Sequence, residues 1–154
     1  MPGKKPTHAQ AQLQLQLYDI RREEKLRAAR AWVMEKYMPE SVEEMNKLAP
    51  PGSQENAYLR MTVSYWEMTC QMLNAGLLNE DLFFQTTNEF YLLYARSKPG
   101  VADARKMYKN PRMWEHIEKA SLRYEKWVRK FAPEFLDILH GILKKMREAA
   151  KNPT

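Results

Sequence analysis

The sequence predicts an all-α protein, an irregular bundle of about five longer helices and two short ones. Three observations carry that prediction. Apolar residues recur at steps of three and four between chain breaks, as in Trp114, Ile117, Tyr124, Val128 and Phe131, with Ser121 holding the place between Ile117 and Tyr124. Residues suited to cap helices, among them Ser41, Ser53, Gly76 and Asn79, stand where those segments begin or end. No alternating apolar–polar run survives as a strand, and no internal repeat or low-complexity block interrupts the pattern.

The elements follow in chain order. Residues 1–12, with their prolines, glycine and glutamines, bury little and are read as a disordered tail ahead of a single domain at residues 13–148. Leu13, Leu17 and Ile20 step as a helix, while residues 12–17 also alternate as a strand would. Helix is preferred because residues 22–31 are strong helix formers. The stripe passes through Leu26, Ala29, Val33 and Tyr37 and stops at Pro39, which pushes its predecessor out of the helical region. Ser41 and Glu44 open a short helix to Leu48 as a capping box, and Pro50, Pro51 and Gly52 then break the chain.

Ser53 caps a helix running to about Ala75 that is apolar around much of its circumference, so Trp66 should sit at the hub of the fold. Gly76 closes it as the left-handed residue of a Schellman motif. Asn79 caps the next helix, with Leu78 stapled against Phe83, giving an αα-hairpin whose second arm stops at Pro99 and Gly100. A short helix covers residues 101–108. Asn110, with Pro111 at the first helical position, opens a two-faced helix reaching Phe131. Pro133 divides it from a last helix holding Phe135, Ile138, Leu139, Ile142, Leu143 and Met146, and residues 149–154 fray.

Composition bounds the function. With 154 residues, 44% of them apolar, one domain can bury a core without metal or disulfide support. The net charge of +6 favours acidic partners, yet 25 basic against 19 acidic residues make a mixed surface, not a polycation. No run approaches the roughly 18 to 20 apolar residues that span a bilayer, and no signal-peptide stretch opens the chain. The lone Cys70 lies among apolar neighbours and reads as a reduced core thiol, consistent with a cytoplasmic protein.

Tyr65-Trp66-Glu67, residues 73–82 (Leu-Asn-Ala-Gly-Leu-Leu-Asn-Glu-Asp-Leu) and residues 110–115 (Asn-Pro-Arg-Met-Trp-Glu) resemble the landmarks of a family of uncharacterised bacterial helical domains, a "domain of unknown function" family. The resemblance covers residues 56–131 and rests on caps and core positions, so it implies a fold and carries over no activity or catalytic residue. Members of that family often place a membrane helix before the domain. This chain departs from them, because residues 13–37 are too charged to span.

Two groups of residues are candidate sites. Arg105, Lys106, Lys109, Arg112, Lys119, Arg123, Lys126 and Lys130 form a basic surface, most of it one face of the helix at residues 110–131, with His116 in the same row. Glu115, Glu125 and acids from other segments are the groups that would neutralise it internally. Glu134, Asp137 and His140 make a short polar stripe on the last helix, the one arrangement with an acid–base or ligand character. The chain lacks the glycine-rich elbow or loop and the multiple ligand motifs of nucleophilic, phosphate-binding or metal sites, so no catalytic residue, metal or cofactor is expected. The leading expectation is a non-enzymatic protein-interaction module, with self-association through Met-rich or aromatic helices. Nucleic-acid or polyanion binding through the basic surface is the alternative, and a small enzyme using Glu134, Asp137 and His140 comes third.

Overall fold

The computed structural model describes residues 3–153 and contains eight helices and, among the described residues, no strand. They are α1 (His8–Arg21), α2 (Glu24–Lys36), α3 (Val42–Leu48), α4 (Gln54–Asn74), α5 (Glu80–Thr86), α6 (Glu89–Met107), α7 (Glu115–Arg129) and α8 (Phe135–Lys151). The all-α class therefore holds, while several boundaries move.

Local capping sets most of the starts. Ser41, Ser53 and Asn79 each accept the backbone N–H three residues on, at 3.2, 3.1 and 2.9 Å. Glu44 reaches back to the Glu40 N–H at 2.8 Å, one residue earlier than a capping box would take it. At the end of α4, Leu77 N–H bonds to Met72 O at 3.0 Å and Gly76 N–H to Leu73 O at 3.1 Å, with Gly76 at φ +77°. That is the Schellman pair. Leu78 and Phe83, the expected staple, are both buried.

Four expectations are corrected. The helix begins at His8, inside the segment read as a disordered tail, because Thr7 and Gln10 form a reciprocal capping box. Residues 3–7 are held too, since Asn79 Nδ2 donates to Lys4 O at 2.7 Å; Met1 and Pro2 lie outside the described residues. The N-terminal helix is two helices. Glu23 accepts the Leu26 N–H at 2.8 Å and starts α2, and Arg30 Nη1 donates to the freed Arg21 carbonyl at 3.0 Å. Pro99 and Gly100 do not stop a helix but lie inside α6, which absorbs the expected short helix at residues 101–108. A proline there removes one backbone bond, and burial of Tyr94, Ser97, Gly100, Val101 and Ala104 on both sides of it compensates. Gly100 also lets Pro39 approach, since a Cβ would lie 3.1 Å from the Pro39 carbonyl oxygen. Finally, the break falls instead at Thr87 and Asn88, so the arm after Gly76 is the short α5, and α4 packs chiefly on α2 and α7.

Trp66 is the hub, 1% exposed. Its indole N–H donates to Glu89 Oε1 at 3.0 Å, and Arg30 grips the same carboxylate at 2.7 and 2.6 Å, so one part-buried acid joins α2, α4 and α6. Around it Phe84 stacks on Phe90 at 5.9 Å, Tyr124 meets Phe90 edge-on at 5.6 Å and Tyr91 packs on Tyr124 at 5.1 Å. Offset and edge-on contacts of this kind add about 0.5–1.5 kcal/mol each beyond area burial. At the far end α8 continues to Lys151, past the expected fray at residue 149, carried by Ala149 and Ala150 and by a 2.5 Å bond from Lys151 Nζ to Glu40; Thr154 lies outside the described residues.

Candidate functional site

The basic row is not one surface. The helix carrying it starts at Glu115, not Asn110, because Trp114 takes a left-handed conformation at φ +57°. Arg105 is folded inward, with Nη1 on both oxygens of Glu118 at 3.1 and 2.9 Å and Nε and Nη2 on Met113 O at 2.9 and 2.7 Å. Arg123 is held by Glu80 at 2.7 Å, Asn74 Oδ1 at 2.7 Å and Lys119 O at 3.2 Å. Arg112 and Lys119 converge on Glu115 at 2.8 and 2.7 Å, and their hydrogen bonds hold its carboxyl down at about 2. Asn74 Nδ2 lies 3.1 Å from His116 Nδ1 and donates to the His116 carbonyl at 3.2 Å, so His116 is turned toward α4 and away from the row. Four cations of the expected surface remain without an ion-pair partner among the described residues: Lys106 and Lys109 at the end of α6, Lys126 and Lys130 at the end of α7. Both pairs sit where the helix dipole favours positive charge.

The stripe of Glu134, Asp137 and His140 is not assembled either. Glu134 precedes α8 without a side-chain capping bond, and Asp137 lies 3.8 Å from Arg129. His140 Nε2 is 2.9 Å from Tyr91 Oη, whose hydroxyl donates to Glu125 Oε1 at 3.0 Å. Since the phenol spends its proton on Glu125, His140 must be the donor through Nε2–H. Burial, then Glu125, pushes the Tyr91 phenol far up, so it stays protonated and the chain Glu125–Tyr91–His140 braces α6, α7 and α8. Beside it lies a cavity of about 260 Å³ between α6 and α8, where burial pushes Tyr94 up to about 12. Ser64 is exposed and donates to Met61 O at 3.2 Å, and Cys70 is fully buried.

The arrangement that sequence reading missed lies on α8. Only Leu136 and Leu143 of that helix are buried. Phe135, Ile138, Ile142 and Met146, spaced three, four and four apart on one side, are 40%, 62%, 50% and 40% exposed. Phe131, 64% exposed, extends the stripe, standing edge-on to Trp127 at 4.8 Å. Trp127 itself is anchored through Nε1 to Asp81 at 2.8 Å, and its ring stacks on Tyr124 at 5.9 Å. Phe84, Tyr124, Trp127, Phe131 and Phe135 line an adjoining cleft of about 360 Å³. Single exposed apolar residues are ordinary on a protein surface, whereas these lie together along one side of the helix. One signal was in the sequence: the apolar positions of residues 135–146 cover about half the helix circumference, more than one flank of a terminal helix buries.

The chain is an all-helical domain with no catalytic constellation assembled among its candidate residues. A family model described as a domain of unknown function (DUF4760) matches residues 6–127, and the chain belongs to that family. The match reaches fifty residues further toward the N-terminus than the resemblance read from residues 56–131 and stops at Trp127, before α8. No curated protein and no solved structure matches the chain. No helix of the described residues is long and apolar enough to cross a membrane.

Proposed function

We propose that this chain is a non-enzymatic interaction module that docks a protein on the exposed apolar face of α8. The observation that carries the reading is the exposure of Ile138 and Ile142, at 62% and 50%, on a helix whose buried Leu136 and Leu143 already satisfy the core. Burying such a stripe against a partner is worth roughly 1.5–3 kcal/mol per large side chain before the entropic cost of association. A cytoplasmic setting belongs to the same reading, supported by Cys70 as a buried free thiol. A photo-crosslinking residue placed at Ile142 should capture a protein in cells, while the same group at Lys106 should not. Equal labelling at both positions, or none at Ile142, overturns the reading.

Polyanion binding remains the second reading, resting on the four exposed lysines Lys106, Lys109, Lys126 and Lys130. The ion pairs at Arg105, Arg112, Lys119 and Arg123 take half of the original surface away from it.

A further inference from the structure

We infer that the partner seated on α8 is a second copy of this chain, packed as an antiparallel α8–α8 pair about a two-fold axis that crosses the apolar stripe between Ile138 and Ile142. The inference rests on the reading of α8 as a docking face and names its occupant.

Three features of the helix converge on this arrangement. The first is register. An isologous interface requires a surface that complements itself after a half-turn. With the axis crossing between them, Ile138 of one copy lies against Ile142 of the other and Phe135 against Met146, so the stripe buries itself along its length.

The second is charge. On the solvent flank of the stripe, turning away from the core side, stand Glu134 at the start of the helix and Lys145 toward its end. Residues on the same flank of two helices face each other when the helices run antiparallel and separate when they run parallel. The same axis therefore brings Glu134 of each copy to Lys145 of the other, twice per dimer. A chain of net charge +6 otherwise repels its copy, so these pairs also set the orientation.

The third is Gly141. It sits in the middle of α8 on that same flank, exposed, and a Cβ built on it would meet nothing within 4 Å. A glycine inside a helix is unfavourable relative to alanine, and nothing within this chain needs one there. On that flank, about 100° around the helix from Ile142, the missing side chain leaves room beside the Glu134–Lys145 pairs for the partner helix.

Analytical ultracentrifugation of the full chain from low to high micromolar concentration tests the inference. A monomer–dimer equilibrium is expected. Ile142→Asp should leave only monomer, with an unchanged helical spectrum because the side chain is exposed. Glu134→Lys and Lys145→Glu should each weaken the dimer by roughly fivefold or more, and the double variant should restore it, as two rim pairs per dimer require. Gly141→Leu should weaken the dimer while the monomer stays folded, because the added side chain crowds the flank of the contact. A wild type that is monomeric throughout overturns the inference. So does a dimer indifferent to Ile142→Asp or to the charge exchange, which would lie on another face. Monomeric protein that co-sediments with anionic vesicles through Ile142 overturns it in favour of a lipid surface. Monomeric protein that still gives a specific cellular crosslink at Ile142, to a different protein, overturns only the identity of the occupant and leaves the docking face standing; absence of that crosslink as well removes both.

Discussion

The Glu67 carboxylate caps a helix to which it does not belong, accepting the His116 N–H at Oε1 and the Ile117 N–H at Oε2, both at 2.9 Å. These are orphan donors of the first turn of α7, and Trp114, its N-terminal neighbour, supplies no side-chain cap. Glu67 points from the middle of α4, fifty residues earlier in the chain, and so fixes where α7 can begin and how it lies on the hub helix. Glu67→Ala should cost about 2 kcal/mol, the loss of a charged cap with two part-buried donors left bare. Glu67→Gln, which keeps one acceptor and loses the charge, should cost about half as much. Chemical denaturation checks both, and equal stability of all three proteins would show that the cap is idle.

Two glycines should respond to alanine with opposite signs. Gly76 holds φ +77° at the end of α4, where a Cβ is strained, so Gly76→Ala should lose about 1 kcal/mol or more. Gly141 is ordinary helix with open space around it, so Gly141→Ala should gain about 0.5–1 kcal/mol in the monomer. Thermal melting of dilute protein measures both; the same sign at both positions would contradict the conformations assigned to them.

Protonation of Glu115 sets one acid-sensitive contribution. Its hydrogen bonds from Lys119 and Arg112 hold the carboxyl at about 2, below its ordinary 4.5. A carboxylate depressed in the folded state stabilises fully above the unfolded value and loses that contribution as pH falls through the folded one. The window thus runs from about 4.5 down to about 2. Carboxyl chemical shifts followed by NMR should show a Glu115 midpoint near 2, and Lys119→Met should raise it. A wild-type midpoint at the ordinary value would mean the two cations do not stay on it in solution.

Cys70 should be inert in the native protein. Burial pushes its thiol well up, with Glu67 adding to the shift, and only the thiolate attacks electrophiles. Alkylation at mildly alkaline pH should therefore be slow in buffer and immediate in denaturant, its native rate reporting unfolding. Rapid native labelling would place Cys70 outside the core.

Nucleic-acid titration decides the second functional reading. Counterion release limits four free lysines to a salt slope of about −3.6 on duplex DNA, against about −7 for all eight expected cations. Reversal should be made at Lys126 and Lys130, since Arg123→Glu would break the contacts to Glu80 and Asn74 and unsettle the fold. No binding at low salt, or binding untouched by Lys126→Glu and Lys130→Glu, removes that reading.

The sequence by itself determined the helical class and the caps whose partners lie within a few residues. Ser41, Ser53, Asn79 and the Gly76 turn are satisfied by neighbours three to five positions away, so their chemistry is written locally. The Thr7–Gln10 box was equally local and was obscured only by the polar composition around it. Trp66 as hub was legible because a helix apolar on most sides has nowhere else to go. Tertiary structure decided the rest, through contacts the chain does not announce. Pro99 and Gly100 read as a stop, yet Pro39 packs on Gly100 and burial on either side carries α6 past them. The cations of Arg105 and Arg123 read as surface until Glu118 and Glu80 met them from other turns and helices. His140 sits beside Asp137 in sequence and bonds instead to Tyr91. Periodicity records which side of α8 is apolar, but whether a second layer covers that side depends on where every other helix ends, and in this fold none reaches Ile138 and Ile142 far enough to bury them.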